Sequence, residues 1–239
     1  MLFVSSLLLA ALVGVSRAQT PEGFTPSVET KLDVMFNGTV LNTPGQQLTK
    51  AGTASQPQIA VADANTEDTF MFVMIDLDVP PAEGSTERRT LLHAMATGFR
   101  VTQQQTTGTG ANLLVSSDQG PATYIGPSPP ATDTVPHRYV ELLFQQPENL
   151  QVQAADFANT QDRINFDIEA FIQENELSEP IAANFFTVNG RASGSATGTA
   201  TSSGGISRNT LQPFEGAAVR KEMPLGLAGL LGSLAFFAM

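Results

Sequence analysis

The chain has no cysteine, only two histidines and two tyrosines, and 12 Lys and Arg against 23 Asp and Glu, for a formal charge of −11. Each shortage excludes something. Without cysteine there is no disulfide, no thiol nucleophile and no thiolate metal ligand. A folded portion of this size buries enough surface to stand without such staples. The acidic excess repels nucleic acid and anionic bilayers, so no nucleic-acid partner is expected and any anion must be bound locally. No Gly-x-Ser-x-Gly is present, which removes a common signature of a serine nucleophile. The two histidines with Asp76 and Asp78 show no i, i+4 ligand spacing on a helix, so neither a metal nor a cofactor is expected.

Long apolar runs are confined to the two ends. Residues 2–15 are almost all apolar or small, and Ser16 and Ala18 supply small residues at the −3 and −1 positions of a cleavage site. Residues 1–18 therefore read as a secretory signal peptide. At the other end, small residues Gly216, Ala217 and Ala218 precede a short polar stretch and an apolar tail, 224–239. That order is the order of a glycolipid (GPI) attachment signal over 216–239, with Gly216 or Asn209 as the attachment residue. Between tail and fold, residues 192–205 are all Gly, Ser, Thr or Ala, a composition that cannot pack a core and makes a stalk over 191–215. The folded domain is left as 19–190. The sequence thus predicts a secreted protein held at the cell surface by a lipid anchor. Its single sequon Asn37-Gly38-Thr39 makes Asn37 the expected N-glycosylation site.

Within the domain the pattern is mainly β. In residues 32–36 the apolar Leu32, Val34 and Phe36 fall at alternate positions before the turn pair Asn37-Gly38. Residues 57–61 make a short strand, and 70–75 a continuous apolar run of the kind covered on both faces. A strand over 91–101 and a buried strand over 138–144 follow, with a last one over 182–188. The stretches 48–56, 82–90 and 102–112 read as polar loops, and Arg88-Arg89 as a solvated pair. One helix is expected over 162–177, where Ile164, Ile168, Phe171 and Ile172 form a single stripe. The lack of βαβ alternation argues against a doubly wound parallel sheet.

Polar landmarks stand at three strand ends. Asp76-Leu77-Asp78-Val79-Pro80 closes the 70–75 run, His93 opens the next strand, and His137 and Tyr139 open the strand after a stiff loop holding Gly126, Pro127, Pro129 and Pro130. Asp-x-Asp-x-Pro, then a strand-opening His, then Gly-x-x-Pro-Pro and His-Arg-Tyr-Val resembles the phosphatidylethanolamine-binding protein family. The resemblance covers about residues 32–188. Leu77 stands where the family often has proline, Leu91 and Leu92 where an aromatic often precedes the first histidine, and the loop before His137 is slightly longer.

What the resemblance implies is specific. The fold would be a central antiparallel and mixed β-sheet sandwich with a few peripheral helices, in one domain. Asp76, Asp78, Pro80, His93, Gly126, Pro129, Pro130, His137 and Tyr139 would line a small anion pocket for a phosphate-bearing head group such as phosphatidylethanolamine. Binding without catalysis is the implied activity, and inhibition of a secreted serine protease, of carboxypeptidase type, the alternative. On physical grounds, carboxylates beside both imidazoles favour their charged forms, and the charged rings with the Tyr139 hydroxyl would grip phosphate oxygens.

Overall fold

A computed structural model of the chain describes residues 18–107 and 109–191. The expected signal peptide up to residue 17, the stalk beyond residue 191 and the whole attachment signal, with Asn209 and Gly216, lie outside the described residues. Among those described, no helix is long and apolar enough to cross a membrane.

Nine strands form one curled, mixed sheet: β1 (Asp33–Phe36), β2 (Thr39–Val40), β3 (Gln46–Leu48), β4 (Gln58–Val61), β5 (Phe70–Val79), β6 (Arg89–Gln105), β7 (Asn112–Val115), β8 (His137–Gln145) and β9 (Ala182–Val188). Their spatial order is β2-β1-β4-β7-β6-β5-β8-β9-β3, antiparallel throughout except for β3 beside β9. The long strand β6 belongs to both halves of the curl. Its first part pairs with β5 and its last part with β7. Gly98 marks the passage with φ +72°, a conformation that side chains with a Cβ seldom adopt.

The apolar run of β5 is explained by its two buried faces. Phe70, Phe72 and Met74 enter the core enclosed by the curl, while Met71, Val73 and Ile75 pack beneath the helical segment. Strand β8 divides in the same way, Tyr139 and Leu143 inward, Val140, Leu142 and Phe144 to the other side. The Asn37-Gly38 pair turns β1 into β2 with positive φ at both residues, 44° and 80°, as a tight hairpin requires. Asn37 is exposed at its tip.

Three expectations need correction. The polar stretch 102–112 is not all loop, because β6 runs on to Gln105 and β7 starts at Asn112, with those two residues paired. Leu48, expected in a loop, ends β3 and is buried beside β9. The single helix over 162–177 is a 3-10 turn (Thr160–Arg163) and a short α1 (Ile168–Glu174). The break lies at 164–167. Ile164 bridges to Leu91, the Asn165 amide donates to the Thr90 carbonyl (2.9 Å), and the Thr90 hydroxyl donates to the Phe166 carbonyl (2.8 Å). The backbone is drawn along the rim of β6, Asn165 sits at φ 61°, and Asp167 restarts the helix by accepting from the Glu169 and Ala170 amides. Helical periodicity survives in Ile168, Phe171 and the half-buried Ile172, which pack with Phe157 and Leu177.

Candidate functional site

Because β6, β5 and β8 are neighbours, the start of β6, the far end of β5 and the start of β8 meet at one pole. Asp76 pairs with Tyr139 across one ladder and with Leu91 across the other. His137 Nδ1 lies 2.8 Å from Asp76 Oδ2, and His93 Nε2 lies 3.8 Å from the same oxygen. The edge of the His93 ring meets the Tyr139 ring at 5.1 Å between centroids, and Tyr139 stacks on Phe186 at 5.1 Å. Four of the expected residues, Asp76, His93, His137 and Tyr139, thus form one nest. It is nearly closed, since the side chains of Asp76, His93 and His137 are only 4, 4 and 2 % exposed.

The two imidazoles are not equivalent. His137 donates Nδ1–H to Asp76 and, from Nε2 at 3.1 Å, a second N–H to Asp133. A ring with two carboxylate acceptors carries two protons and is a cation. Burial opposes that charge, but Asp76 and then Asp133 outweigh it and raise the pKa of His137. His93 goes the other way. Burial lowers its pKa more than its neighbours restore it. Its Nδ1–H donates to the Ile125 carbonyl at 2.6 Å, which leaves Nε2 as a bare acceptor in the neutral ring. The expectation that both histidines carry charge is therefore corrected to one. Nε2 of His93 and the hydroxyl of Tyr139 are buried and make no hydrogen bond of good geometry among the described residues. Burial first, then Asp76, hold the Tyr139 phenol far above its ordinary pKa, so its proton stays on.

Asp78 does different work. Its Oδ2 accepts from the Arg138 amide and Nε, both at 2.8 Å, and its Oδ1 accepts from Nη2 at 2.9 Å. Burial raises its pKa, yet the bonds to Arg138 prevail and lower it. All its capacity goes into clamping β5 to β8, so it frames the site and does not face into it. The Asp78 amide in turn donates to Asp76 Oδ1 at 2.7 Å, leaving Oδ2 for the imidazoles. Pro80 offers its carbonyl to Arg89 Nε at 3.0 Å. In the proline loop Gly126 lies against the Thr53–Ala54 backbone and Pro129 is buried. A Cβ on Gly190 would collide with the Pro130 carbonyl, so the domain's last residues brace this loop.

Two site residues were missed in the sequence. Arg88 is no solvated bystander. Its Nη1 and Nη2 grip Asp133 at 2.8 and 2.9 Å, and Nη1 also donates to the Asp78 carbonyl. Asp133, four residues before His137, completes the outer wall. Neither residue shows periodicity, and only the i, i+4 spacing of Asp133 and His137 was available as a signal. Among the described residues no group of three or more His, Asp or Glu side chains is arranged to hold a metal ion. His137 has no lone pair to offer one.

A family model described as phosphatidylethanolamine-binding protein matches residues 33–186. Phomoidride biosynthesis cluster protein N of Talaromyces stipitatus is 35% identical over 199 residues, spanning 75% of this chain and 95% of that protein. Protein TERMINAL FLOWER 1 of Arabidopsis thaliana is 30% identical over 164 residues, 68% of this chain and 80% of that one. A solved structure described as carboxypeptidase Y inhibitor complexed with the cognate proteinase superposes with a TM-score of 0.53 at 23% identity, covering 68% of this chain and 84% of that chain. That last likeness shows the fold alone.

Proposed function

Since the chain belongs to the phosphatidylethanolamine-binding protein family, we propose that it binds a small phosphate-bearing head group, such as that of phosphatidylethanolamine, without turning it over. The observation that carries this reading is the unused hydrogen-bonding capacity at the nest: a buried acceptor on His93 Nε2 and, on Tyr139, a buried hydroxyl with no partner of good geometry, beside His137 and the carboxylate of Asp76. Buried polar atoms without partners are costly, and a ligand bearing both signs of charge satisfies them together. Phosphate oxygens accept from Tyr139, and from His137 when one of its two carboxylate partners yields, and an ammonium N–H donates to His93 Nε2 and Asp76. The Tyr139 hydroxyl is held in its neutral form and is no nucleophile. The test is calorimetric titration of phosphorylethanolamine into wild type, His93→Ala and His137→Ala. Loss of binding in both variants is expected, and equal affinity in all three overturns the reading.

The address belongs to the same proposal. Removal of residues 1–18, a glycan on Asn37 and a glycolipid on Gly216 or Asn209 would place the site outside the cell, anchored to the plasma membrane or cell wall. The intact mass of protein purified from its source should lack residues 224–239, and a mass including them refutes the anchor. The alternative, inhibition of a secreted serine protease, draws on the fold it shares with the carboxypeptidase Y inhibitor. The N-terminal stretch 20–26, expected to be extended and the candidate for entering a protease cleft, is folded back here. The Gln19 amide donates to the Val28 carbonyl at 2.7 Å, Thr20 is 3 % exposed, and Phe24 packs on the core. Inhibition by this segment would need its release.

A further inference from the structure

Asp133 occupies a fully built anion site. Its Oδ2 accepts from Arg88 Nη1 at 2.8 Å and from His137 Nε2 at 3.1 Å; its Oδ1 accepts from Arg88 Nη2 at 2.9 Å and from the Val135 amide at 3.0 Å. A guanidinium fork, an imidazolium and a backbone amide around one planar anion are the donors that phosphate and carboxylate recognition uses. These side-chain bonds, more than its backbone, tie the occupant to the fold. Residues 131, 132 and 134–136 are exposed, and Asp133 alone among 131–136 turns inward, its side chain 8 % exposed. Its backbone is held by one bond, from its amide to the Pro130 carbonyl at 3.0 Å. Arg88 is otherwise fixed by its bond to the Asp78 carbonyl, so the cationic half of the site stays in place when Asp133 leaves.

We propose that Arg88 and the outer nitrogen of His137 form an anion-binding pair for the ligand's phosphate or carboxylate, and that Asp133 is its built-in competitor, displaced when the ligand enters. The inference rests on the binding reading above and deepens it. It explains how a nest with side chains at most 4 % exposed admits a ligand: the Asp133 carboxylate is the part of its wall that an incoming anion can replace in kind. The incoming phosphate takes the Arg88 fork and the His137 N–H, and the 131–136 segment swings out with Asp133. Apparent affinity is then the intrinsic affinity scaled by the fraction of molecules with Asp133 displaced. Removing the competitor removes that factor, and the charge of the remaining cluster moves by +1.

The test titrates inorganic phosphate and phosphorylethanolamine separately into the full chain: wild type, Asp133→Ala, the near-isosteric Asp133→Asn, and Asp133→Ala combined with Arg88→Ala. Both single variants should bind inorganic phosphate about tenfold tighter or more, and Arg88→Ala should cancel the gain. Tighter binding of phosphorylethanolamine than of inorganic phosphate in the same variant shows that its ammonium is read in the same complex. Thermal melts establish that each variant is folded, and Asp133→Asn serves where the alanine variant does not fold. Unchanged or weaker phosphate binding in a folded Asp133 variant overturns the competitor, while the head-group reading survives if wild type still binds and His93→Ala and His137→Ala do not. No binding of either probe by any variant overturns both.

Discussion

Replacing Glu141 with leucine should stabilise the protein. Glu141 lies in the middle of β8 on the face shared with Tyr139 and Leu143; it is 0 % exposed, and neither of its oxygens has a hydrogen-bond partner among the described residues. Its cross-strand neighbour on β9, Asn184, cannot help. Asn184 Nδ2 donates to the Leu32 carbonyl and its Oδ1 accepts from the Phe185 amide, both at 2.9 Å. Burial pushes the Glu141 pKa well above its ordinary 4.5, so the side chain is carried as a neutral acid. An unsatisfied buried polar group costs about 1–3 kcal/mol, and a leucine of similar bulk restores most of that. For a domain of this size the gain is roughly 3–10 °C in Tm. The pH signature is sharper. Above pH 4.5 the unfolded chain releases the proton while the folded chain keeps it, so stability falls as pH rises toward the folded pKa, by at most about 1.4 kcal/mol per unit. Urea denaturation of wild type and Glu141→Gln at half-unit steps from pH 4 to 8 isolates the effect, because the other titrating groups cancel in the difference. The glutamine variant should gain on wild type steadily as pH rises. Parallel curves for the two, or a leucine variant less stable than wild type, would refute the reasoning.

Other outcomes follow from the site. His137, facing Asp76 and Asp133 with Arg88, His93 and Asp78 nearby, should titrate above 6.5 by NMR, and Asp133→Asn should lower that value because one of its two acceptors loses its charge. Its contribution to stability is full below pH 6.5 and fades as pH rises through the folded value. Asp78→Ala frees three Arg138 donors and should cost roughly 1.5–3 kcal/mol in chemical denaturation, tempered because Arg138 is 42 % exposed. Asn165→Ala, at φ 61°, should cost about 1–2 kcal/mol and Asn165→Gly almost nothing; equal losses would contradict the strained-turn account. Gly190→Ala should weaken phosphorylethanolamine binding as well as lower Tm, since the added methyl displaces Pro130.

Much of this was legible before any coordinates. The 70–75 run announced a strand buried on both faces, and Asp76, His93 and His137 marked three strand ends that topology then brought together. Chemistry at strand ends is readable because an apolar run that stops on a titratable residue is a local event. Arg88 and Asp133 were not readable, since each sits in a polar loop and their pairing depends on where two loops fold. The division of the 162–177 segment was hidden for a related reason: Thr90, 75 positions from Asn165, supplies the bonds that compete with helix. Glu141 stood in plain view in a strand read as buried, but alternation alone did not say that both faces of β8 are covered. The unequal charges of His93 and His137 turn on the burial of His93 and on Asp133, the second carboxylate that only His137 bonds, and no pattern of side chains announces either.

The contact between Gly190 and Pro130 has a practical consequence for handling the protein. Gly190 and Arg191 lie against the proline loop that borders the nest, with Arg191 Nε donating to the Ala131 carbonyl at 3.3 Å. Anything fused or immobilised just past Arg191 therefore crowds the mouth, and a sensor chip coupled there would under-report ligand. Coupling through the exposed Asn37 hairpin, carried on β1 and β2 at the sheet's outer edge, should restore the full signal.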